Sequence, residues 1–250
     1  MTREIIWSNG LGTQSTAIAV LIAQGKLPKP AYAISADTSR ELKKVWDYSH
    51  TYTFPLLESL GVKVEIVPHT YANVDLYSGK NELLIPAFLK NGTGKLSTFC
   101  SGEWKRRVVM RRLRELGYGP NNKIVLWMGM SRDEIARMKT SDVDWMSHYY
   151  PLALDLRMSR YDCQKVVLDY GWPEPPRSRC AECPHQQNPE WREVRESPDE
   201  WQRAIQVDHQ ITESHGVYLH YSGVPLEEAA IDDDPKPNLF DGCDTGICEF

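Results

Sequence analysis

The cysteines are the residues whose types and spacing most clearly suggest chemistry. Six cysteines are too few and too unevenly spaced for a disulfide scaffold in a chain of 250 residues. In a reducing compartment such cysteines more often bind metal or carry out redox chemistry. Cys180 and Cys183 form a CxxC pair in a proline-rich loop, a spacing that lets two thiolates hold one metal ion or cluster. A zinc knuckle completed by His185 and a redox-active dithiol are the competing interpretations.

Two further cysteines, Cys243 and Cys248, lie in a polar, glycine-bearing segment at the C-terminus. A mobile thiol near a nucleotide could attack an activated sulfur or carry a persulfide. A disulfide within the tail, or an ordered cap, is the alternative interpretation of the same pair.

A second candidate site is the glycine-rich segment Ser8–Thr16. Gly10 and Gly12 allow close backbone approach, and hydroxyl side chains and a predicted helix follow them. Free N–H groups and the dipole at the start of a helix favour an anion such as phosphate. The segment is neither a Walker loop nor a GxGxxG dinucleotide motif. The alternative is an ordinary helix start with Ser15 or Thr16 as the N-cap.

The elements that must position these residues alternate between strand and helix in the first half of the chain. This alternation predicts an α/β fold, a Rossmann-like parallel sheet covered on both faces. A long helical stretch is expected to kink or split at Pro55. The predicted strands are 3–8, 31–36, 62–67 and 123–128.

Polar motifs begin where three of these strands end, at 8–15, 37–41 and 129–137. In open α/β sheets the ligand crevice lies outside the carboxyl ends of the strands. The three segments are therefore expected to converge on one site.

Composition and charge limit the possible functions. With 41% hydrophobic and 25% charged residues and a formal net charge of −5, the chain is an ordinary globular protein that does not coat nucleic acid through its overall charge. No apolar stretch approaches the roughly 20 residues that cross a bilayer, so a cytoplasmic enzyme without a membrane partner is expected. The predicted division is a nucleotide-binding domain over 1–155 and a cysteine-bearing region over 156–250.

Five motifs in order resemble those of one superfamily. The loop 8–16 resembles the pyrophosphate-binding loop of the PP-loop ATPases, the adenine-nucleotide alpha-hydrolase-like superfamily. The segments 36–41, 129–137, 150–152 and 178–184 resemble the ADTGxE, G-x-R-x-x-E-S-x-R, YPL and cysteine-pair segments of the PAPS reductases. The sequence departs from these patterns at Gln14, where the ATP pyrophosphatases carry an aspartate, at Ser131, and in the tail, which lacks ECGxH.

The resemblance implies roles for individual residues. The loop would contact phosphate, and the segment after the second strand would lie near the adenosine. Two arginines would neutralise phosphate or sulfate, because their forked hydrogen-bond donors suit oxyanions. In the iron–sulfur members of the PAPS reductase family, cysteines before a basic helix and a later CxxC pair together bind the cluster. The residues implied for the nucleotide are Ser8, Gly10, Gly12, Gln14, Ser15, Thr16, Asp37, Thr38, Lys105, Gly129, Arg132 and Arg137, and those for a [4Fe–4S] cluster are Cys100, Cys163, Cys180 and Cys183. A solvated helix start is the alternative for the two arginines, and a buried, inert thiol is the alternative for Cys163.

The function expected from this resemblance is adenine-nucleotide-dependent sulfur chemistry. The first candidate is an adenylating sulfurtransferase that uses ATP, Mg²⁺ and a cluster-held or cysteine-held sulfur, with Cys243 or Cys248 as the relay. Its expected acceptor is tRNA or DNA and its expected donor is a sulfur or electron carrier protein. A homodimer is the assembly considered for it. The second candidate is a PAPS or adenylyl-sulfate reductase that releases sulfite.

A third candidate is a non-catalytic nucleic-acid-binding module with a zinc knuckle. Its interface would be a short basic helix, although a solvated helix is the usual interpretation of such a charge run. The cations of this helix are Lys105, Arg106, Arg107, Arg111, Arg112 and Arg114.

Overall fold

The computed structural model describes residues 3–69, 76–77, 82–96 and 100–233. The chain divides into two compact units, one drawn from Met1–Ala72 and Trp104–Ser178 and the other from Asn73–Glu103 and Arg179–Phe250. The boundary predicted near residue 155 therefore falls within the first unit. The reason is that the helix Arg160–Asp169, which follows that boundary, packs against the first helix of the chain, Thr13–Ala23.

The first unit is built on five parallel strands, and the α/β prediction is confirmed. The strands are β1 (Glu4–Ser8), β2 (Tyr32–Asp37), β3 (Lys63–Pro68), β6 (Ile124–Met128) and β7 (Met146–Tyr149). The helices of this unit are α1 (Thr13–Ala23), α2 (Lys43–Tyr48), α3 (Phe54–Ser59), α4 (Arg107–Glu115), α5 (Pro151–Leu154) and α6 (Arg160–Asp169).

The strand order is β3-β2-β1-β6-β7, so the order reverses between β1 and β6. Ser8 at the end of β1 pairs with Ile34 on β2 and with Met128 at the end of β6. The loops that follow β1 and β6 therefore leave the sheet side by side. A reversal of strand order is where open α/β sheets place their ligand crevice.

Both faces of the sheet are covered, as predicted for parallel strands. Trp7 and Trp127 face the layer that includes α1, α3 and α6, while Ile6 and Leu126 face α4. This alternation follows the two-residue period of a strand. Helix α1 is buried along most of its length, because it lies between the sheet and α6, so its apolar residues cover all of its sides.

The helical stretch that contains Pro55 is irregular near the proline, where the sequence predicted a kink or a split: a π-helical turn interrupts its α-helical pattern. Helix α2 runs into a π-helical turn, Ser49–Thr53, and α3 then begins with Pro55 in its first turn. The backbone dihedrals stay helical on both sides of this turn, so the π-helical turn is where the chain accommodates the hydrogen bond that proline cannot donate.

The second unit holds a small antiparallel sheet and two longer helices. Its elements are β4 (Ala87–Leu89), β5 (Lys95–Leu96), β8 (Val217–Tyr218), α7 (Asn188–Arg195) and α8 (Pro198–His215). The strand order is β5-β4-β8, so a segment from the middle of the chain pairs with one near its end. Helix α8 begins with Pro198 in its first turn, and two residues separate it from the end of α7. Among the helices of the described ranges, none combines the length and apolarity that crossing a membrane requires.

The buried His220 makes the second unit sensitive to acid. Its Nδ1 accepts the N–H of Ser222, so Nε2 carries the proton and donates to Asn188 Oδ1 at 2.9 Å. Burial lowers the pKa of His220 to about 4. The unfolded chain, with a histidine pKa near 6.5, binds a proton that the native state does not. Stability should therefore fall from pH 6.5 towards pH 4, by up to about 3 kcal/mol.

Denaturant unfolding of the wild type and of His220→Gln at pH 7 and pH 4.5 checks this prediction. The wild type should lose more stability on acidification than the variant does. Comparing the two proteins cancels the opposite contribution of buried Asp208, whose pKa is raised by desolvation. Equal losses in both proteins would contradict the prediction.

Candidate nucleotide site

The loop after β1 is held in shape by its own polar groups. The Asn9 N–H donates to the Ile34 carbonyl at 2.8 Å, and Asn9 Oδ1 accepts the N–H of Leu11 at 3.1 Å. Leu11 adopts a left-handed backbone conformation with φ of 63°, and the Gly10 N–H donates to Ser15 Oγ at 3.0 Å. The loop is thus shaped before any ligand arrives.

Helix α1 begins directly after this loop. Its N-cap is Gly12, and its first turn contains no acidic residue. The interpretation of Ser15 or Thr16 as the N-cap is therefore wrong. Instead, the Thr16 hydroxyl donates to the Gly12 carbonyl and Ser15 accepts from the loop. The N-terminal N–H groups and the helix dipole remain suited to an anion.

Two glycines are required by close packing around the loop. A Cβ on Gly12 would lie 3.2 Å from the Ser178 Cβ, and a Cβ on Gly129 would lie 3.1 Å from the Ser15 Oγ. Gly129 is the first residue after β6, so the chain leaving β6 runs against the start of α1. The two loops at the reversal of strand order are therefore in direct contact.

The residue where the sequence departs from the PP-loop pattern, Gln14, points its amide at a carboxylate. Gln14 Nε2 donates to Glu134 Oε2 at 3.0 Å, and Arg137 pairs with the other oxygen of Glu134. The Arg137 and Glu134 side chains are both largely buried. Gln14 and Arg137 thus bind one carboxylate beside the loop. Arg132 lies exposed next to them, and its backbone N–H donates to the Met158 carbonyl at 2.8 Å.

The segment after β2 forms a tight turn. Asp37 Oδ1 accepts the N–H of Ser39 at 2.7 Å, and the buried Thr38 hydroxyl accepts the N–H of Arg40 at 3.3 Å. Ser39 adopts a left-handed conformation with φ of 55°. In this structure Asp37 acts as a turn former, since its carboxylate stabilises the turn that leads to Glu41.

Glu41 links this turn to the loop after β1. Its buried carboxylate accepts a hydrogen bond from Ser178, the residue packed against Gly12, and the Lys105 ammonium lies 3.3 Å from its other oxygen. The Arg40 guanidinium lies 4.9 Å from the centre of a Trp104 ring. The residues after β2, the start of α1 and the residues before α4 are thus joined by contacts.

The predicted convergence of three polar segments is confirmed. The segment after β6 contacts the loop through Gly129 and Glu134, and the segment after β2 contacts it through Glu41 and Ser178. Sequence reasoning included Glu134, Glu41 and Ser178 in motifs but gave none of them a role. Their position within those motifs was the signal that could have identified them as site residues.

The CxxC pair lies in a fixed turn of the second unit. The Cys183 N–H donates to the Cys180 carbonyl at 3.2 Å. Buried Arg179 donates to Gln186 Oε1 at 2.9 Å, and Gln186 donates in turn to the Ala181 carbonyl at 2.8 Å. Both thiol residues are half-buried. The turn therefore holds two thiols at fixed positions.

The charges around the turn balance each other. Arg203 lies 3.7 Å from the buried Glu182 carboxylate, and Arg179 pairs with Glu193. The predicted zinc ligand His185 has its Nδ1 2.8 Å from the ammonium of Lys95, so this nitrogen accepts from a cation.

The remaining predicted ligands lie in different surroundings. Cys100 is half-buried and belongs to the second unit with Cys180 and Cys183. Cys163 is fully buried in the core between α1 and α6, and desolvation raises the pKa of its thiol to about 12. Metal ligands are thiolates, so this position does not favour Cys163 as one. In the part of the chain that the structure describes, no group of three or more His, Cys, Asp or Glu side chains is gathered for a metal ion.

The predicted relay cysteines, Cys243 and Cys248, lie outside the described residues, and their roles stay predictions.

The basic helix is partly neutralised. Arg112 binds both carboxylate oxygens of Glu65, and Arg106 pairs with Asp142. With Lys105 bound to Glu41, three of its six cations have identified carboxylate partners. Such pairing weakens the interpretation of this helix as a nucleic-acid interface.

No family model matches the sequence, and the search of curated proteins finds no match. Two solved structures are similar to the chain. A phosphoadenylyl-sulfate (PAPS) reductase from Candida auris, in complex with phosphate, is 12% identical, with a TM-score of 0.45 over 70% of this chain and 76% of that chain. The U34-tRNA thiolase NcsA from Methanococcus maripaludis, with its [4Fe-4S] cluster, is 13% identical, with a TM-score of 0.47 over 86% of this chain and 67% of that chain.

Proposed function

We propose that this protein is an enzyme of adenine-nucleotide-dependent sulfur chemistry that binds the nucleotide phosphates in the loop between β1 and α1. The observation that carries the proposal is the arrangement at the reversal of strand order. There a pre-shaped loop, a helix start without acidic residues and the close-packed Gly129 meet. Phosphate groups are the ligands that such a backbone cradle suits best.

The residues of this site have distinct tasks in the proposal. The backbone N–H groups at the start of α1 bind phosphate oxygens, and Ser15 keeps the loop in its binding shape. Arg132, exposed beside the loop, stabilises charge that develops on a transferring phosphoryl or sulfuryl group. Arg137 acts at one remove, because its guanidinium is bound to Glu134; it is a positioning residue.

Mg²⁺ fits this site chiefly through the nucleotide. Both oxygens of Glu134 already accept hydrogen bonds, from Gln14, Arg137 and the backbone of Ser131. A magnesium ion commonly keeps several waters and binds substrate phosphates. The phosphates and water would therefore supply most of its ligands here.

The sulfur half of the proposal rests on the CxxC turn. Its two fixed thiols suit soft metals. Cys100 belongs to the same unit but is not gathered with them in the described residues, so the proposed third ligand must move towards the turn when the metal binds. A [4Fe–4S] cluster on these residues would supply electrons or a binding place for sulfur. The chain's own contribution is the turn that Arg179 and Gln186 hold in place.

For the transferase reaction, the acceptor oxygen attacks the α-phosphorus of ATP, which forms an acceptor adenylate and releases pyrophosphate. A persulfide on Cys243 or Cys248 then attacks the acceptor carbon, and AMP leaves with the acceptor oxygen. The other cysteine attacks the cysteine sulfur of the resulting mixed disulfide, which releases the thiolated acceptor and leaves a disulfide that a dithiol donor must reduce. The positive charge of Arg132 and the loop amides stabilise the pentavalent phosphorus of the first step. The proposed acceptor is tRNA or DNA.

The second candidate is a reductase that acts on PAPS or adenylyl sulfate, and Gln14 favours it. An uncharged amide, already donating to Glu134, stands where ATP pyrophosphatases carry an aspartate. A thiolate of the tail attacks the sulfuryl sulfur, the adenine nucleotide leaves, and a second thiol then forms a disulfide and releases sulfite. A dithiol donor must afterwards reduce that disulfide.

Assays of the anaerobically purified protein choose between these reactions. Pyrophosphate release from ATP that depends on an RNA or DNA acceptor supports the transferase, and sulfite release from PAPS with a dithiol donor supports the reductase. Salt-dependent nucleic-acid binding with neither activity would overturn both and support the non-catalytic module.

Metal analysis gives a separate prediction. Protein purified anaerobically without chelators should contain about four irons and four acid-labile sulfides per chain. Cys180→Ser and Cys183→Ser should each lose most of that iron, whereas Cys163→Ala, which changes a core thiol, should retain it.

One zinc per chain and no iron would contradict the cluster. Loss of iron from the folded Cys163→Ala protein would instead restore Cys163 as a ligand. Circular dichroism of each variant separates loss of metal from loss of fold.

A further inference from the structure

The first unit contains a cavity of about 520 Å³ next to the first turn of α1. Thr13 lines this cavity, whereas Ser15 faces Gly129 and the loop after β6. Residues two apart on a helix project roughly 200° apart. The cavity therefore lies on a different side of the helix start from the contact with Gly129.

Its walls come from three helices and one extended segment. Helix α2 contributes Lys44 and Tyr48, and α6 contributes Arg160 and Gln164, each pair spaced four residues apart. This spacing places both members of a pair on one face of a helix. The segment 174–177, which contains two consecutive prolines, closes the remaining side. Proline restricts the backbone, so this wall is stiff.

The charge of the lining is strongly positive. Three cations, Lys44, Arg160 and Arg177, face the cavity together with one carboxylate, that of Glu174. Thr13 and Gln164 add uncharged donors. Buried Tyr48 donates its hydroxyl hydrogen to the Pro173 carbonyl at 2.9 Å, which fixes its ring. The cavity thus has two guanidinium groups and one ammonium group around a polar space. Phosphate oxygens accept hydrogen bonds from both kinds of group.

We propose that this cavity is a second phosphate-binding site, separate from the loop, that takes a phosphate monoester carried on a larger molecule. Its volume lies in the range of sites for small organic ligands and exceeds what a lone phosphate ion fills. The phosphate comes either from a second position on the bound nucleotide or from a second molecule. The inference rests on the residues that line the cavity. Because the cavity lies beside Thr13, a phosphate bound there and the phosphate bound in the loop would both lie at the start of α1.

Arg160→Gln tests the site, with Lys165→Gln as the matched control. Both changes remove one cation from α6, but Lys165 is exposed, pairs with Asp169 and does not line the cavity. Binding of radiolabelled inorganic phosphate is measured by equilibrium dialysis, with and without saturating ATP. Arg160→Gln should weaken phosphate binding about tenfold, the loss expected for one charge-assisted hydrogen bond, while Lys165→Gln should leave it unchanged.

A comparison of AMP with adenosine 3′,5′-bisphosphate identifies the source of the phosphate. If the bisphosphate binds about tenfold more tightly and Arg160→Gln removes that preference, the second phosphate belongs to the nucleotide. If the two nucleotides bind alike while inorganic phosphate binds beside ATP, it belongs to a second molecule. Phosphate and bisphosphate binding that are both insensitive to Arg160→Gln would overturn the proposal.

Failure of the nucleotide site is distinguishable from failure of the cavity. If ATP does not bind the wild type, the proposed function fails, yet the phosphate titration without ATP still compares Arg160→Gln with Lys165→Gln.

Discussion

Replacing Gly12 with valine is expected to reduce the affinity for the adenine nucleotide at least about 100-fold. Even a single Cβ at this position would lie 3.2 Å from the Ser178 Cβ and 3.4 Å from the Ser178 backbone nitrogen. The two further methyl groups of valine leave no room, so the loop must move away from Ser178. A shifted loop loses the aligned N–H groups that bind phosphate, and two or three such charge-assisted bonds account for a loss of this size.

Isothermal titration calorimetry with ATP and with PAPS measures this effect. Gly119→Ala is the control, because a Cβ on Gly119 would meet nothing within 4 Å. This control should bind within about threefold of the wild type. Unchanged affinity in folded Gly12→Val would show that the nucleotide binds elsewhere.

Replacing Asp208 with alanine is expected to destabilise the second unit by about 2–5 kcal/mol. Asp208 lies on α8 and is fully buried. Its two carboxylate oxygens accept the backbone N–H groups of Leu219 and Leu226, each at 2.7 Å. Alanine would leave both buried N–H groups without an acceptor, at a cost of about 1–3 kcal/mol each. One side chain thus holds two chain segments after α8 in place.

Denaturant unfolding at pH 7 checks this prediction, with Glu213→Ala as the control. Glu213 lies on the same helix and is exposed, so its loss should change the free energy of unfolding by less than about 0.5 kcal/mol. Asp208→Asn keeps one oxygen acceptor and should fall between the two. A loss below 1 kcal/mol for Asp208→Ala would contradict the proposed role of its carboxylate.

Four of the five strands of the first unit could be predicted from the sequence because their signals are local, whereas β7 was not predicted. Short apolar runs such as 123–128, bounded by turn residues, are typical of buried parallel strands. The predicted runs agree with the observed strands to within one residue or so. Pro55 likewise marked the break between α2 and α3, because proline removes a helical hydrogen bond wherever it stands.

The second unit could not be predicted in the same way, since its sheet depends on distant residues. Strand β4, near residue 88, pairs with β8, near residue 218, and each strand is only two or three residues long. Neither segment has enough residues to show a periodic pattern. Only the tertiary structure brings these two segments together. Because their pairing could not be predicted from the sequence, a boundary near residue 155 was expected in place of the observed division.

The candidate site was predicted at the level of segments but not of contacts. Glycines and hydroxyl residues located the loop, because few other roles require that combination. The bond between Ser178 and Glu41 joins residues 137 positions apart and leaves no local signal. The lining of the cavity by Lys44, Arg160 and Arg177 depends in the same way on how α2 and α6 pack.

The location of nucleotide binding tests the central proposal most directly. Amide chemical shifts of ¹⁵N-labelled protein are followed during titration with ATP and with PAPS. For at least one nucleotide, saturable shifts should be largest at Gly10, Gly12 and Gly129, the residues at the reversal of strand order. Saturable shifts centred elsewhere, or no shifts in folded protein at millimolar concentrations of both nucleotides, would contradict it.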